Sequence, residues 1–325
     1  MRKSLSLLII IVALASGAAI AEPQQPTKVR RIGYLASASG LGRREEALRQ
    51  GLRELGYVEG QNIAIEYRFA EGMLDRLTDR AAELVRLKVE VIVTPSTLDA
   101  LAAQRATRTI PIVMAASGDA VGTGLVASLA RPGGNVTGLT ALSRELSGKR
   151  LELLREAVPG LSRVAVLWNA ANPDKARDLE ETEVAARALG LQVQSLEVRA
   201  PNDFESAFRA ATGKRAGALL ALPDAFTTTH QSRIVDLAAK SRLPAMHEHR
   251  EFVEAGGLMS YGPSLLGLFR RVATYVDKIL KGTNPGELPV EQPTKFELVI
   301  NLQAAKRIGL TIPPNVLARA DKVIK

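Results

Sequence analysis

The sequence predicts an α/β protein built from two doubly wound lobes with parallel sheets. Its 325 residues are too many for one ordinary domain and suit two, and an apolar fraction of 46% supplies two packed cores. Short apolar runs rich in β-branched residues alternate with helical segments, which is typical of βαβ units and a parallel sheet. The alternation restarts near Lys149. Both halves therefore share one architecture, although there is no strong sequence repeat between them.

The elements of the first half follow from apolar runs and their breaks. Strands are expected at residues 31–36, 63–69, 89–94, 110–114 and 136–140, with helices at 43–55, 74–87 and 98–106. The fourth strand ends in Ser117-Gly118-Asp119, small and polar residues at which the chain must turn. A further helix is expected at 120–129, so that its N-terminus lies behind Asp119.

The second half repeats this pattern and ends less regularly. Helices are expected at 149–158, 173–189, 203–211, 229–241 and 265–280, and strands at 163–168, 191–198, 216–222, 243–247 and 257–261. Two further strand-like runs, 288–290 and 297–299, follow the break at 281–285.

Four co-linear blocks carry a resemblance to a known family. IPIVMAASGDAVGTGLVASLARPGGNVTGLT (110–140) resembles the TrpX-like periplasmic substrate-binding proteins of ABC transporters, as do GLRELGYVEGQNIAIEYRFAEG (51–72), LELLREAVPG (151–160) and NLQAAKRIGLTIPPNVLARADKVI (301–324). The resemblance covers nearly the whole mature chain. It implies a type I periplasmic-binding-protein fold, with two lobes joined by a three-segment hinge. It also implies capture of a small polar solute, for example an amino acid or a small carboxylate, for delivery to a membrane permease.

The resemblance sets the expected lobe limits. Lobe 1 comprises residues 22–139 and 264–292, and lobe 2 comprises 140–263 and 293–325. Departures from the close amino-acid-binding members occur at the expected ligand edges. Asp119-Ala120 replaces an Asp-Pro, Trp168-Asn-Ala170 replaces a Tyr-Asn-Pro-like turn, and residues 39–43 replace a His-Pro segment. An aromatic amino acid therefore does not follow as the ligand.

The first 21 residues indicate export. Arg2-Lys3 form a positive region, residues 5–14 an apolar region, and Ala19-Ile20-Ala21 a cleavage site. We expect a signal peptide that is cleaved after Ala21, leaving a periplasmic, monomeric protein. A retained membrane anchor is the alternative, but the apolar run is short for a stable span.

Composition excludes several other classes. The net charge of +9 is spread among acidic residues, with no basic arm and only 4% aromatic residues, so nucleic acid is not an expected partner. Without cysteine the chain has no disulfide, iron–sulfur cluster, thiol nucleophile or lipid-modified cysteine.

Candidate ligand-binding residues lie at the ends of the predicted strands, because small molecules bind outside the carboxyl ends of the strands in open α/β sheets. Hydroxyls and helix N-termini suit a carboxylate, and an aspartate suits an ammonium group. The alternative is that many of these residues only cap helices, and that the two aromatic residues pack the core or hinge. The candidates are Ser37, Ser96, Thr97, Ser117 and Asp119 in lobe 1, and Trp168, Asn169, Asp224 and Tyr261 in lobe 2.

No catalytic, metal or cofactor site is predicted. His247-Glu248-His249 lacks further ligands at convincing spacing and is interpreted as a strand-end or surface pair. There is no nucleophile elbow and no phosphate-binding loop. Two alternatives to the transport receptor remain: a periplasmic ligand-sensing module for a membrane signalling protein, and an exported α/β hydrolase. The hydrolase would use Asp119 or Asp224 as a base, and a partner for either is missing.

Overall fold

The computed structural model describes residues 29–325, except for the side chains of residues 173 and 174. The predicted signal peptide and its cleavage site lie outside the described residues. Within that range no helix is both long enough and apolar enough to cross a bilayer.

Sheet 1 is entirely parallel, and its strands lie in the order β2-β1-β3-β4-β5. Apolar residues of its strands are buried against helices on both faces. Its elements are β1 (Arg30–Ala36), α1 (Arg43–Glu54), β2 (Ile63–Phe69), α2 (Arg76–Arg86), β3 (Val91–Thr94), α3 (Thr97–Ala106), β4 (Ile112–Ser117) and β5 (Val136–Thr140).

The strands of sheet 2 and the helices around them follow in the chain. These elements are α4 (Ser147–Ala157), β6 (Arg163–Asn169), α5 (Pro173–Ala188), β7 (Gln192–Val198), α6 (Asp203–Gly213), β8 (Ala218–Ala221), α7 (Ala225–Thr229), α8 (Gln231–Lys240), β9 (Ala245–His247), α9 (Arg250–Glu254) and β10 (Met259–Pro263). The C-terminal region adds α10 (Leu265–Leu280), a 3₁₀ turn (Pro285–Glu287), β11 (Phe296–Asn301), α11 (Leu302–Ile308), α12 (Pro314–Leu317) and β12 (Lys322–Ile324).

The two sheets have the same winding. The order β7-β6-β8-β9-β10 repeats that of sheet 1, and it is extended by β11, which is antiparallel to β10, and by β12. This shared order is the structural basis of the alternation that restarts in the sequence.

The chain passes between the sheets three times. It crosses between Thr140 and Ser147, returns after Pro263 so that α10 packs on α1 and on sheet 1, and crosses again between Glu291 and Phe296. We call these three crossing segments the hinge. The lobe limits given by the sequence stay a prediction.

The helix predicted at 120–129 is wrong: this segment is a series of turns. Asp119 Oδ1 accepts the Gly122 N–H at 2.8 Å, and the Thr123 hydroxyl donates to the Asp119 carbonyl at 2.6 Å. Gly124 has φ +74°, which a helix does not allow. Side-chain bonds to the backbone therefore replace the helical bonds here. No helix N-terminus follows β4.

Candidate functional site

A cavity of about 370 Å³ lies between the two sheets. Loops after β1, β3 and β4 line it from sheet 1, and loops after β6, β8 and β9 line it from sheet 2. We call these the sheet 1 wall and the sheet 2 wall. Phe269 and Leu265 of α10 add an apolar surface.

The cavity lies where strand order reverses in each sheet. In sheet 1 the reversal is between β1 and β3, and in sheet 2 it is between β6 and β8. At such points the connections leave on opposite faces of the sheet, which opens a crevice at the carboxyl ends of the strands. Two crevices that face each other therefore form one cavity.

The sheet 1 wall is organised by the first turn of α3. The Ser96 hydroxyl caps the helix by accepting the Asp99 N–H at 3.4 Å and donates to Asp99 Oδ2 at 2.7 Å. Asp99 Oδ1 also accepts the Ser37 N–H at 2.8 Å, which ties the loop after β1 to the helix after β3. Asp99 is only 1% exposed, and burial raises the pKa of its carboxyl to about 6.

Thr97 joins this wall to the end of β4. Its hydroxyl is 3.1 Å from the Ser117 hydroxyl and accepts the Gly118 N–H at 3.1 Å. These bonds hold the loops after β3 and β4 together.

The sheet 2 wall contains a capped carboxylate. Asp224 caps α7 by accepting the Phe226 N–H at 2.8 Å. It also accepts the side-chain amides of Asn169 at 2.9 Å and Asn172 at 2.8 Å. Asp224 is half-buried and borders the cavity.

A chain of ion pairs joins the cavity to both sheets. Buried Lys175 lines the cavity and donates to Asp178 Oδ2 at 2.5 Å. Asp178 Oδ1 accepts Arg144 Nε at 3.1 Å, and Arg144 Nη1 donates to Asp119 Oδ2 at 2.6 Å. Burial opposes the charge on Lys175, but the nearby carboxylates, led by Asp178, raise its pKa overall.

A further ion pair is buried beside the first crossing segment of the hinge. Arg150 and Glu248 are each 1% exposed and lie 2.7 Å apart. Arg150 also donates to the Ser143 and Tyr261 carbonyls at 2.8 Å, and Glu248 accepts the Ser143 hydroxyl at 2.8 Å. One guanidinium thereby joins the first crossing segment, at Ser143, to β10 and to the loop after β9.

Four of the nine predicted residues line the cavity: Ser37, Ser96, Thr97 and Asp224. Ser117 and Asn169 do not, but each is bonded to a residue that does, Thr97 and Asp224 respectively. These six residues are brought together at the two walls. Whether any of them binds a ligand stays a prediction.

The other three predicted residues have different surroundings. Asp119 pairs with Arg144 outside the cavity lining. Trp168 packs in the core of sheet 2 and donates to the Ser195 hydroxyl at 2.8 Å. The ring of Tyr261 packs on Phe296, with centroids 6.1 Å apart. A strand-end position alone does not distinguish these surroundings.

The histidine pair is at a strand end, but a surface position is wrong. His247 and His249 are 1% and 8% exposed, and burial lowers the pKa of each to about 3, so both are neutral. His247 stacks on Phe252. His249 instead lines the cavity. Among the side chains that the structure describes, no three or more histidines, aspartates or glutamates are grouped so that they could hold a metal ion.

Sequence reasoning missed several polar residues that line the cavity. Asp99 had a readable signal, because Ser96-x-x-Asp99 is the spacing of a capping box. The others give no such signal, since each lies within an ordinary amphipathic helix or loop. They include Arg44, Ser143, Asn172, Lys175, Glu248 and His249.

Residues 32–324 match the family of ABC transporter substrate binding proteins. The chain belongs to this family. The match spans nearly all of the described residues, so the family resemblance and the type I periplasmic-binding-protein fold are both confirmed. Its members bind solutes and are not enzymes.

Individual proteins are similar to this chain over most of its length. A tyrosine-binding protein of Clostridioides difficile (strain R20291) is 26% identical over 280 residues, 86% of this chain and 80% of that protein. A conserved domain protein of Vibrio cholerae is 30% identical, with a TM-score of 0.86 over 91% of this chain and all of that one. A domain from Streptococcus pneumonia solved with L-Trp is 27% identical, with a TM-score of 0.84 and the same coverage.

Proposed function

We propose that this protein is the exported receptor of an ABC importer and captures a small solute with a carboxylate group, such as an amino acid or a small carboxylic acid. The observation that carries the proposal is the position of the cavity, which lies at the strand-order reversal of both sheets at once. Its volume of about 370 Å³ is in the range of small-molecule sites.

The two walls offer complementary chemistry for such a solute. On the sheet 1 wall, the N-terminus of α3 and the Thr97 hydroxyl suit a carboxylate, since either hydroxyl of the Thr97–Ser117 pair can be the donor. On the sheet 2 wall, the half-buried carboxylate of Asp224 suits an ammonium group. The relatives described with tyrosine and tryptophan support an amino acid as the ligand class.

Contacts between the lobes support capture by closure. Arg43 of α1 pairs with Glu254 of α9, and Arg177 of α5 donates to the Gly122 carbonyl at 2.7 Å. Asp119 and Arg144 form a third contact. A solute that touches both walls adds to these contacts and shifts the population towards the closed form. The closed form then delivers the solute to a membrane permease.

A thermal-shift screen of residues 22–325, stripped of co-purified ligand by unfolding and refolding, tests the binding. A solute at 100 times its Kd raises stability by about 2.7 kcal/mol and therefore raises Tm. Asp224→Asn keeps an acceptor for the capping bonds and should abolish the shift for amino acids only. Asp236→Asn, at an exposed position of α8, is the matched control. A flat screen over amino acids and carboxylic acids would contradict the proposal.

Delivery and export need a second experiment. Cells lacking the gene should lose uptake of the solute found in the screen and regain it with the full chain. Periplasmic fractionation should recover the protein, and N-terminal sequencing should show that it begins at Glu22. We expect this mature protein to be a monomer. Normal uptake in the deleted cells would remove the transport role.

A further inference from the structure

Arg44 is a cation on the cavity wall with no partner among the described residues. Three lysine or arginine side chains line the cavity, and two have carboxylate partners: Arg43 pairs with Glu254, and Lys175 pairs with Asp178. Half-buried Arg44 makes no ion pair or hydrogen bond with any side chain or backbone group that the structure describes. A guanidinium carries five N–H donors, and those of Arg44 remain available to a ligand.

The helix dipole disfavours a cation at the position of Arg44 on α1. Arg44 occupies the first turn of a 12-residue helix, where the helix dipole favours acidic residues and disfavours cations. The helix N-cap is Gly42, which has no side chain to bond the first N–H groups. Helix stability therefore does not explain an arginine at this position.

His249 lines the same cavity from the opposite wall. It is 8% exposed, and its Nδ1 has no hydrogen-bond partner in the described chain; Glu248 Oε1, at 3.8 Å, is the carboxylate oxygen next to it. The charge of Arg44 contributes to the lowered pKa of His249, and both side chains line the same cavity. A buried imidazole nitrogen without a hydrogen-bond partner is costly.

We infer that Arg44 and His249 form a second anion subsite. It binds a further acidic group of the solute, with one residue from each lobe. The inference rests on the proposed function and narrows it: the preferred solutes carry two carboxylates, as acidic amino acids and dicarboxylic acids do. The first carboxylate lies at the N-terminus of α3. The second carboxylate lies at the N-terminus of α1. It stays ionised and accepts hydrogen bonds from both residues.

Nearby carboxylates leave room for this anion. Glu45 directs its two oxygens to the Tyr34 hydroxyl at 2.6 Å and the Gly42 N–H at 2.8 Å. Glu248 is neutralised by Arg150. Glu251 also lines the cavity, but it lies in the first turn of α9, where an acidic residue is favourable. Its charge helps to raise the pKa of Arg43.

Isothermal titration with matched ligand pairs tests the inference: L-glutamate against L-glutamine, and succinate against butyrate. The wild-type chain should bind the dicarboxylate of at least one pair about tenfold or more tightly than its monocarboxylate partner, since a charge-assisted hydrogen bond has about this effect. Arg44→Gln should abolish that preference and leave the monocarboxylate affinity unchanged. Arg44→Lys should keep part of it. Arg53→Gln, on the exposed side of α1, is the control and should change nothing.

Glu251→Gln separates this subsite from the alternative of an ammonium held by Glu251. Removing the Glu251 charge should tighten dicarboxylate binding, because it removes a repulsion; weaker binding would overturn the inference. Equal or tighter binding of the monocarboxylates by the wild-type chain would overturn it while the proposed function stands. Binding of neither class would remove both.

Discussion

The two walls of the cavity are held in place by different forces. The sheet 1 wall depends on hydrogen bonds around one helix turn, in which Ser96 caps α3 and Asp99 accepts the Ser37 N–H. The sheet 2 wall depends on ion pairs between distant residues, such as Arg150 with Glu248. Local capping is worth about 1 kcal/mol, whereas a half-broken buried ion pair costs several. The walls should therefore respond very differently to single substitutions.

The largest effect is expected from Arg150→Met. It leaves the Glu248 carboxylate buried without a cation, and the free energy of unfolding should fall by about 3–5 kcal/mol in urea denaturation. Arg233→Met removes a partly exposed pair with Glu205 and should cost less than about 1 kcal/mol. Equal losses would mean that burial does not distinguish the two pairs. Joint replacement of Arg150 and Glu248 by apolar residues should recover much of the loss.

An intermediate effect, of the opposite sign, is expected from Asp99→Asn. The native pKa of Asp99 is raised from 3.8 to about 6, so its contribution to stability is complete below about pH 4 and is lost as the pH rises through about 6. An asparagine keeps an acceptor for Ser37 and does not ionise. Between pH 4 and pH 7, the unfolding free energy of the variant relative to the wild type should rise by roughly 3 kcal/mol at most. A difference that does not change with pH would contradict this assignment.

The smallest effect is expected from Ser96→Ala. The substitution removes the cap of α3, which should lower the free energy of unfolding by about 1 kcal/mol. Ser96→Asn supplies another capping side chain and should recover most of it. A loss as large as that of Arg150→Met would show that the sheet 1 wall is not locally organised.

This contrast also explains how much the sequence could predict. Strands, helices and the doubled winding follow from local apolar patterns, and so does the cap at Ser96. The links Asp119–Arg144 and Arg150–Glu248 span 25 and 98 residues, and no local pattern pairs them. Nor does a strand-end position show that Trp168 turns into the core.

The helix wrongly expected at 120–129 has a related cause. Its apolar spacing is helical, but Asp119 and Thr123 bond to the backbone, and Gly124 adopts a left-handed conformation. Competition between side-chain and backbone bonds is decided by geometry that composition does not contain.

The return of α10 to sheet 1 has a consequence for synthesis. Leu48 and Leu52 of α1 are covered by residues of α10, including Phe269 and Val272, which follow more than two hundred positions later. During translation, the N-terminal half therefore emerges with an apolar face that nothing can yet cover. A chain that cannot complete its first lobe early stays unfolded for longer on the ribosome, and an unfolded chain is what a general secretion channel can thread through a membrane.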